Sequence, residues 1–229
     1  MTSSHNLARW LRGASSPGSD ASSPDAGGAH PKNVPRTTRR CVGLGEFTRD
    51  LMGSDDHKLC ALDLGPTSPA NISFLTGRNL RVYNEDILRA AKDPAFLTRQ
   101  EDGSHRVDAE KFFAENLAYP AGQFDAILAW ASPDYMPEEL VRPLVDRLRI
   151  VLKPHGSLLA LFHTKDAGPD SPYCRYHISQ PDVLEIEPEP GFRIQRIFNN
   201  RHIENLFQDF ASRKFFLGRD NIREVVVIR

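Results

Sequence analysis

No apolar run in this chain approaches the ~20 residues that a membrane-spanning helix needs, and the N-terminus lacks the apolar core of a secretory signal. A cytoplasmic protein with no membrane partner is the expectation. Cysteine is scarce: Cys41, Cys60 and Cys174 are odd in number, far apart and free of C-x-x-C spacing, which argues against a disulfide framework and a structural zinc site. No His/Cys/Asp cluster has metal-ligand spacing, so a metal-dependent mechanism has no support and no metal is expected. Charge of neither sign prevails, because 29 Lys and Arg face 30 Asp and Glu for a net charge of −1. The general electrostatic pull towards nucleic acid is therefore missing, and a small-molecule partner is favoured. Nothing in the sequence bears on oligomeric state.

What is present divides in two. From Gly13 to Pro31, "GASSPGSDASSPDAGGAHP" is nearly all Gly, Ala, Ser and Pro, a composition that buries too little apolar surface to offset the entropy of ordering it. Residues 1–36 read as a disordered tail, with "NLARWLRG" offering at most one amphipathic turn, and residues 37–229 as one folded domain. Arg36, Arg39 and Arg40 read as a solvated basic lead-in.

The folded part alternates strand-like and helix-like segments. "KLCALDLG" suits a strand buried on both faces, "SPANISFLTG" a helix capped by Ser68 with Pro69 in its first turn, and "NLRVYNEDI" a second strand closing on Glu85 and Asp86. A helical segment follows that Pro94 interrupts. "QFDAILAW" is the clearest buried strand. Leu140, Val141, Leu144, Val145, Leu148, Val151 and Leu152 then recur at helical spacing, with Pro143 predicting a kink or a later start. "LKPHGSLLALFHT" supplies another core strand, "NNRHIENLFQDF" a helix, and "ASRKFFLG" with "REVVVIR" an antiparallel hairpin across "RDNI". Such alternation implies a mostly parallel sheet covered on both faces.

Ligands of open parallel sheets bind beyond the carboxyl ends of the strands. Two loops there carry candidates: "DLGPTSPAN", where Gly65 permits a tight turn before a helix N-terminus, and Glu85 or Asp86, roughly 20 residues on, where an acid can hold a ribose. Against G-x-G-x-x-G the chain has Gly65-x-Thr67-x-x-Ala70, and a Cβ at Thr67 disfavours a dinucleotide. The alternative is a strand end and a helix cap with no ligand at all.

Together with the middle of the chain these residues resemble the class I S-adenosylmethionine-dependent methyltransferases. Asp63 and Gly65 match the acid and a glycine of the first motif, with Thr67 and Pro69 where further glycines stand in the family. "NLAYPAGQFDAILAW" is similar to the family's "L-P-F … F-D" stretch, and "LKPHG" to its "L-K-P-G-G" turn. The resemblance covers about residues 58–164 by motif, and beyond that only the order of elements, including a last strand set antiparallel in the sheet. It implies a Rossmann-like sandwich with a mostly parallel seven-stranded sheet, and S-adenosylmethionine as cofactor. The implied cofactor contacts are Asp63, Gly65, Pro66, Thr67, Ser68 and Asn71 at the first loop, and Glu85 or Asp86 at the ribose. Glu115, Asn116, Leu117 and Trp130 complete them near the adenine and the middle strand.

For catalysis the candidates are Asp134, Tyr135 and His163. Ser132-Pro133-Asp134-Tyr135 superficially resembles the N-P-P-Y motif of methyltransferases acting on amino groups, although Asp134 equally reads as a helix cap. His163 reads as a general base or as a histidine hydrogen-bonded at a strand end. The segment carrying Tyr173, Tyr176 and His177 is expected to form a lid over the substrate. Methyl transfer to a small molecule is the implied function. Its rivals are a non-catalytic binding or regulatory protein on the same fold and a nicotinamide-dependent oxidoreductase.

Overall fold

The computed structural model describes residues 36–51, 58–165, 172–218 and 220–229. The tail expected over residues 1–36 lies outside them apart from Arg36, as does part of the expected lid. The chain begins with β1 (Thr37–Arg40) and α1 (Val42–Asp50), followed by β2 (Leu59–Asp63), α2 (Pro69–Thr76), β3 (Leu80–Asn84) and α3 (Ile87–Ala90). A single 3-10 turn at Pro94–Phe96 leads into a small hairpin, β4 (Leu97–Arg99) and β5 (His105–Val107), then α4 (Ala109–Glu115) and β6 (Phe124–Trp130). Next come α5 (Ser132–Tyr135), α6 (Glu138–Val151), β7 (Leu152–His163), β8 (Tyr173–Gln180) and β9 (Val183–Glu189). The chain closes with α7 (Asn200–Leu206), β10 (Ser212–Leu217) and β11 (Ile222–Ile228).

The main sheet has six strands in the order β10-β11-β7-β6-β2-β3. β3, β2, β6 and β7 run parallel, and β11 is antiparallel to both β7 and β10. The parallel core and the antiparallel closing hairpin are as the sequence predicts, and the position of β11 counts against the oxidoreductase alternative. Six strands rather than seven stand in this sheet among the described residues, with β3 at its edge. The stretch after α3 instead forms the separate β4–β5 hairpin. Its sequence, "TRQEDGSHR", has no apolar run to bury in a parallel sheet, and Pro94 and Gly103 (φ +85°) turn the chain away.

Two further expectations change. α6 is continuous through Pro143 and starts ahead of it, at Glu138. The proline forfeits one helical hydrogen bond, but Leu140, Val141, Leu144, Val145, Leu148 and Val151 all bury on one face and hold the helix together. α7 is shorter than predicted and stops at Leu206, after which Phe207 and Phe210 turn into the core.

A second, three-stranded antiparallel sheet, β1-β9-β8, sets β8 against α2. Its attachment corrects the basic lead-in: Arg36 and Arg40 form exposed ion pairs, but the Arg39 side chain is 7% exposed and pairs with the buried Glu224 of β11 at 2.5 Å. A charge so placed is tolerated only with a partner. Glu224 also accepts from the Gly43 backbone, which joins β1, α1 and the main sheet.

Candidate functional site

Strand order reverses between β2 and β6, since the chain leaves β2 towards β3 on one side and returns through β6 to β7 on the other. The crevice beyond their carboxyl ends is where a ligand of such a sheet sits. Here that space holds the indole of Trp130. Its Nε1 donates to Asp63 Oδ1 at 2.6 Å, and its ring stacks on Tyr176 with centroids 5.4 Å apart and planes 13° from parallel. Trp130 has φ +49°, a left-handed conformation that costs a non-glycine residue about 1–2 kcal/mol. The hydrogen bond and the stacking hold it there.

Gly65 is explained by the same contact. A Cβ on it would lie 3.0 Å from the Trp130 ring, so the glycine makes room for the chain's own side chain. Asp63, 2% exposed, spends its other contacts on the Gly65 N–H (3.0 Å, Oδ1) and the Asn71 side-chain amide (2.9 Å, Oδ2). Burial pushes its carboxyl above the usual carboxylate range, and these three donors pull the other way.

Ser68 caps α2 as expected by accepting from the Asn71 backbone N–H. Asn71 is the joint of the site. Its Nδ2 reaches both Asp63 and the Tyr176 carbonyl, and its Oδ1 accepts from the Ile178 N–H at 2.7 Å. Thus β8, expected as a substrate lid, is fastened to α2 by bonds between the Asn71 side chain and the β8 backbone, and packed as core: Tyr173 and Tyr176 are buried. His177 completes the fastening, with Nδ1 2.8 Å from Ser68 Oγ and Nε2 3.3 Å from Glu187.

Burial, with Arg36 nearby, holds the His177 imidazole below its ordinary range, although Glu187 opposes this. The folded chain then binds fewer protons than the unfolded one below about pH 6.5, so this contribution is complete above that pH and declines as pH falls through it. Asp63 and Asp134, whose carboxyls burial raises, work in the opposite sense. The comparison is therefore made with a variant: His177→Gln should lose less thermal stability than wild type between about pH 7 and pH 5. Equal losses in scanning calorimetry would remove His177 from the account.

The second acidic pair divides its work. Glu85 turns from the crevice to accept from the Leu117 N–H at 3.1 Å, and a hydrogen bond from the Tyr119 hydroxyl also reaches it. Asp86 caps α3 by accepting from the Arg89 N–H. Of the expected adenine-side residues, Glu115 is exposed at the end of α4 and Asn116 folds back onto the Phe112 carbonyl. Leu117 is buried with φ +57° and lends its carbonyl to Arg147.

Asp134, Tyr135 and His163 do come together. Asp134 Oδ2 accepts from the His163 backbone (2.6 Å) and faces its Nδ1 (2.8 Å), while Nε2 lies 3.5 Å from the Tyr135 hydroxyl. A carboxylate on one ring nitrogen fixes the tautomer and turns the other outward, an arrangement suited to proton transfer. Asp134 does not cap a helix; it lies inside α5, is 0% exposed, and its Oδ1 has no hydrogen-bond partner.

Among the described residues, a cleft of about 370 Å³ opens at this end of the sheet, lined by Pro66, Thr67, Asn84, Asp86, Arg89, Arg175 and Glu189. Pro66, Thr67 and Asp86 were expected at a site; Asn84, Arg89, Arg175 and Glu189 were not. The readable signal for the last two was the period-2 alternation of charge in "YCRYHIS" and "EIEPE".

No family model and no curated protein matches the chain. Solved structures similar to it include S-adenosylmethionine-dependent methyltransferases. One is the Burkholderia thailandensis 1,6-didemethyltoxoflavin-N1-methyltransferase with bound 1,6-didemethyltoxoflavin and S-adenosylhomocysteine, at 10% identity over 82% of this chain and 76% of that one, TM-score 0.46. Another is a methyltransferase from Mesorhizobium loti, at 14% identity over 81% and 98% of the two chains, TM-score 0.44. In the arrangement described, the Trp130 indole occupies the space above Gly65, and both Asp63 oxygens are engaged by the chain's own donors.

Proposed function

We propose that this chain is a non-catalytic binding or regulatory protein built on a methyltransferase-like fold. The observation that carries the reading is the Trp130 indole in the switch-point crevice, bonded to Asp63 and covered by Tyr176. A buried hydrogen-bonded aromatic side chain that is also stacked belongs to the core, and expelling it would expose Asp63 together with a large apolar surface. The crevice therefore supports the fold, and ligand recognition falls to surfaces around it.

Calorimetric titration tests this directly. The full chain should give no binding heat with S-adenosylmethionine or S-adenosylhomocysteine at about 500 µM, far above the Kd that a working cofactor site needs. Saturable binding of either would sink the proposal.

A second reading, methyl transfer from S-adenosylmethionine to a small molecule, is favoured by the Asp134–His163–Tyr135 cluster. In it His163, oriented by Asp134, takes the proton of an acceptor hydroxyl or amine. The same titration separates the two readings, because the second requires the cofactor to bind.

A further inference from the structure

The cleft beside the filled crevice has an unusual lining. Its charged groups come in two opposite pairs, Asp86 with Arg89 and Glu189 with Arg175, and each is a long ion pair. Arg89 Nε stands 3.5 Å from Asp86 Oδ2, and Arg175 Nε stands 3.8 Å from Glu189 Oε2. The Arg175 Nε and Glu189 Oε2 atoms are shielded from solvent and are held by this ion pair alone, without a hydrogen bond. Arg175 is held in place by its Nη2, which donates to the Thr67 carbonyl at 3.3 Å. Asn84 is spent on the Asp63 and Gly65 carbonyls and on Thr67, so it shapes the floor without offering a free group.

The chemistry of the walls selects among ligands. An anion alone would meet two carboxylates, and a cation alone two guanidinium groups; each would leave half of the charges facing a like charge. A nucleobase would find no aromatic ring to stack on, since Pro66 is the one apolar side chain in the lining. A small molecule with an anionic and a cationic group a few bonds apart satisfies all four. Its carboxylate matches the guanidinium geometry of Arg89 and Arg175, and its ammonium matches Asp86 and Glu189.

We infer that this cleft binds a free α-amino acid or a zwitterion of similar size. The inference rests on the binding reading above and gives it a ligand class. Because β8 and β9 contribute Arg175 and Glu189 while the β2 and β3 ends contribute Thr67 and Asp86, such a ligand would bridge the two sheets. Occupancy would then stabilise β8 against α2.

Titration calorimetry on the full chain with glycine, L-methionine, L-glutamate and L-lysine, each to about 10 mM, tests it, with acetate and methylamine as single-charge probes. At least one amino acid should bind at least tenfold more tightly than acetate and methylamine. Arg175→Met and Asp86→Asn should each weaken that binding at least tenfold; asparagine still caps α3, so the second variant keeps the fold. No heat from any amino acid, equal heat from the single-charge probes, or unchanged binding in both variants would overturn the inference. Binding of S-adenosylmethionine in the separate titration would overturn the non-catalytic reading instead, so the two failures are distinguishable.

Discussion

Trp130→Ala is expected to lower the unfolding free energy by about 3–5 kcal/mol, the cost of removing a fully buried aromatic side chain from a core that collapses only in part. The loss has two sources. Deleting the ring leaves a cavity under Tyr176, and deleting its N–H takes one of the three donors from a carboxylate that is 2% exposed. Trp130→Phe weights them differently: it keeps most of the buried ring and removes the donor, whose loss costs about 1.5–3 kcal/mol, the range of a hydrogen bond to a charged group. Urea unfolding of both variants measures the two losses. A loss under about 1 kcal/mol in Trp130→Ala, below the range for a core aromatic, would mean that the indole is a removable gate. That outcome would return the crevice to a cofactor.

The second large effect is expected at Asn71. Asn71→Leu keeps the branched shape but leaves Asp63 Oδ2, the Tyr176 carbonyl and the Ile178 N–H without this partner. Each stranded buried group costs about 1–3 kcal/mol, so a loss of at least about 3 kcal/mol is expected. The damage should be directional. Hydrogen exchange at residues 176–178 should rise far more than in β6 or β7, because Asn71 is a tie between β8 and α2 and no part of the parallel core. Uniform loss of protection across both sheets would show that the two sheets unfold as one cooperative unit and that Asn71 is not a local latch.

The two effects share a cause. The features by which the chain resembles a methyltransferase, an acid at the end of β2 and a glycine in the next turn, are retained but turned to internal use. Asp63 accepts from Trp130 and Asn71, and Gly65 admits the indole. A residue type that suits a ligand also suits a side chain offering the same donor.

Much was legible from sequence because it depends on local pattern. Apolar runs mark β2, β6, β7 and β11, the 3.6-residue period marks α6, and Ser68 with Pro69 marks the start of α2. The meeting of Asp134, Tyr135 and His163 followed from their places just past β6 and at the end of β7, since parallel neighbours bring their carboxyl ends together.

The direction in which side chains turn at those ends was not legible. Glu85 and Asp86 are adjacent in sequence, yet one ties down Leu117 and the other caps α3 and faces the cleft. The left-handed backbone at Trp130 has no sequence signal, because it is stabilised by Asp63 and Tyr176, which lie far along the chain in either direction. By itself, then, the sequence determined the parallel core, the closing hairpin and the residues gathered at one end of the sheet. Tertiary structure decided whether that end is open or filled, because the space above Gly65 belongs to whichever group satisfies Asp63 at least cost. Here that group is a tryptophan already tethered to the next strand.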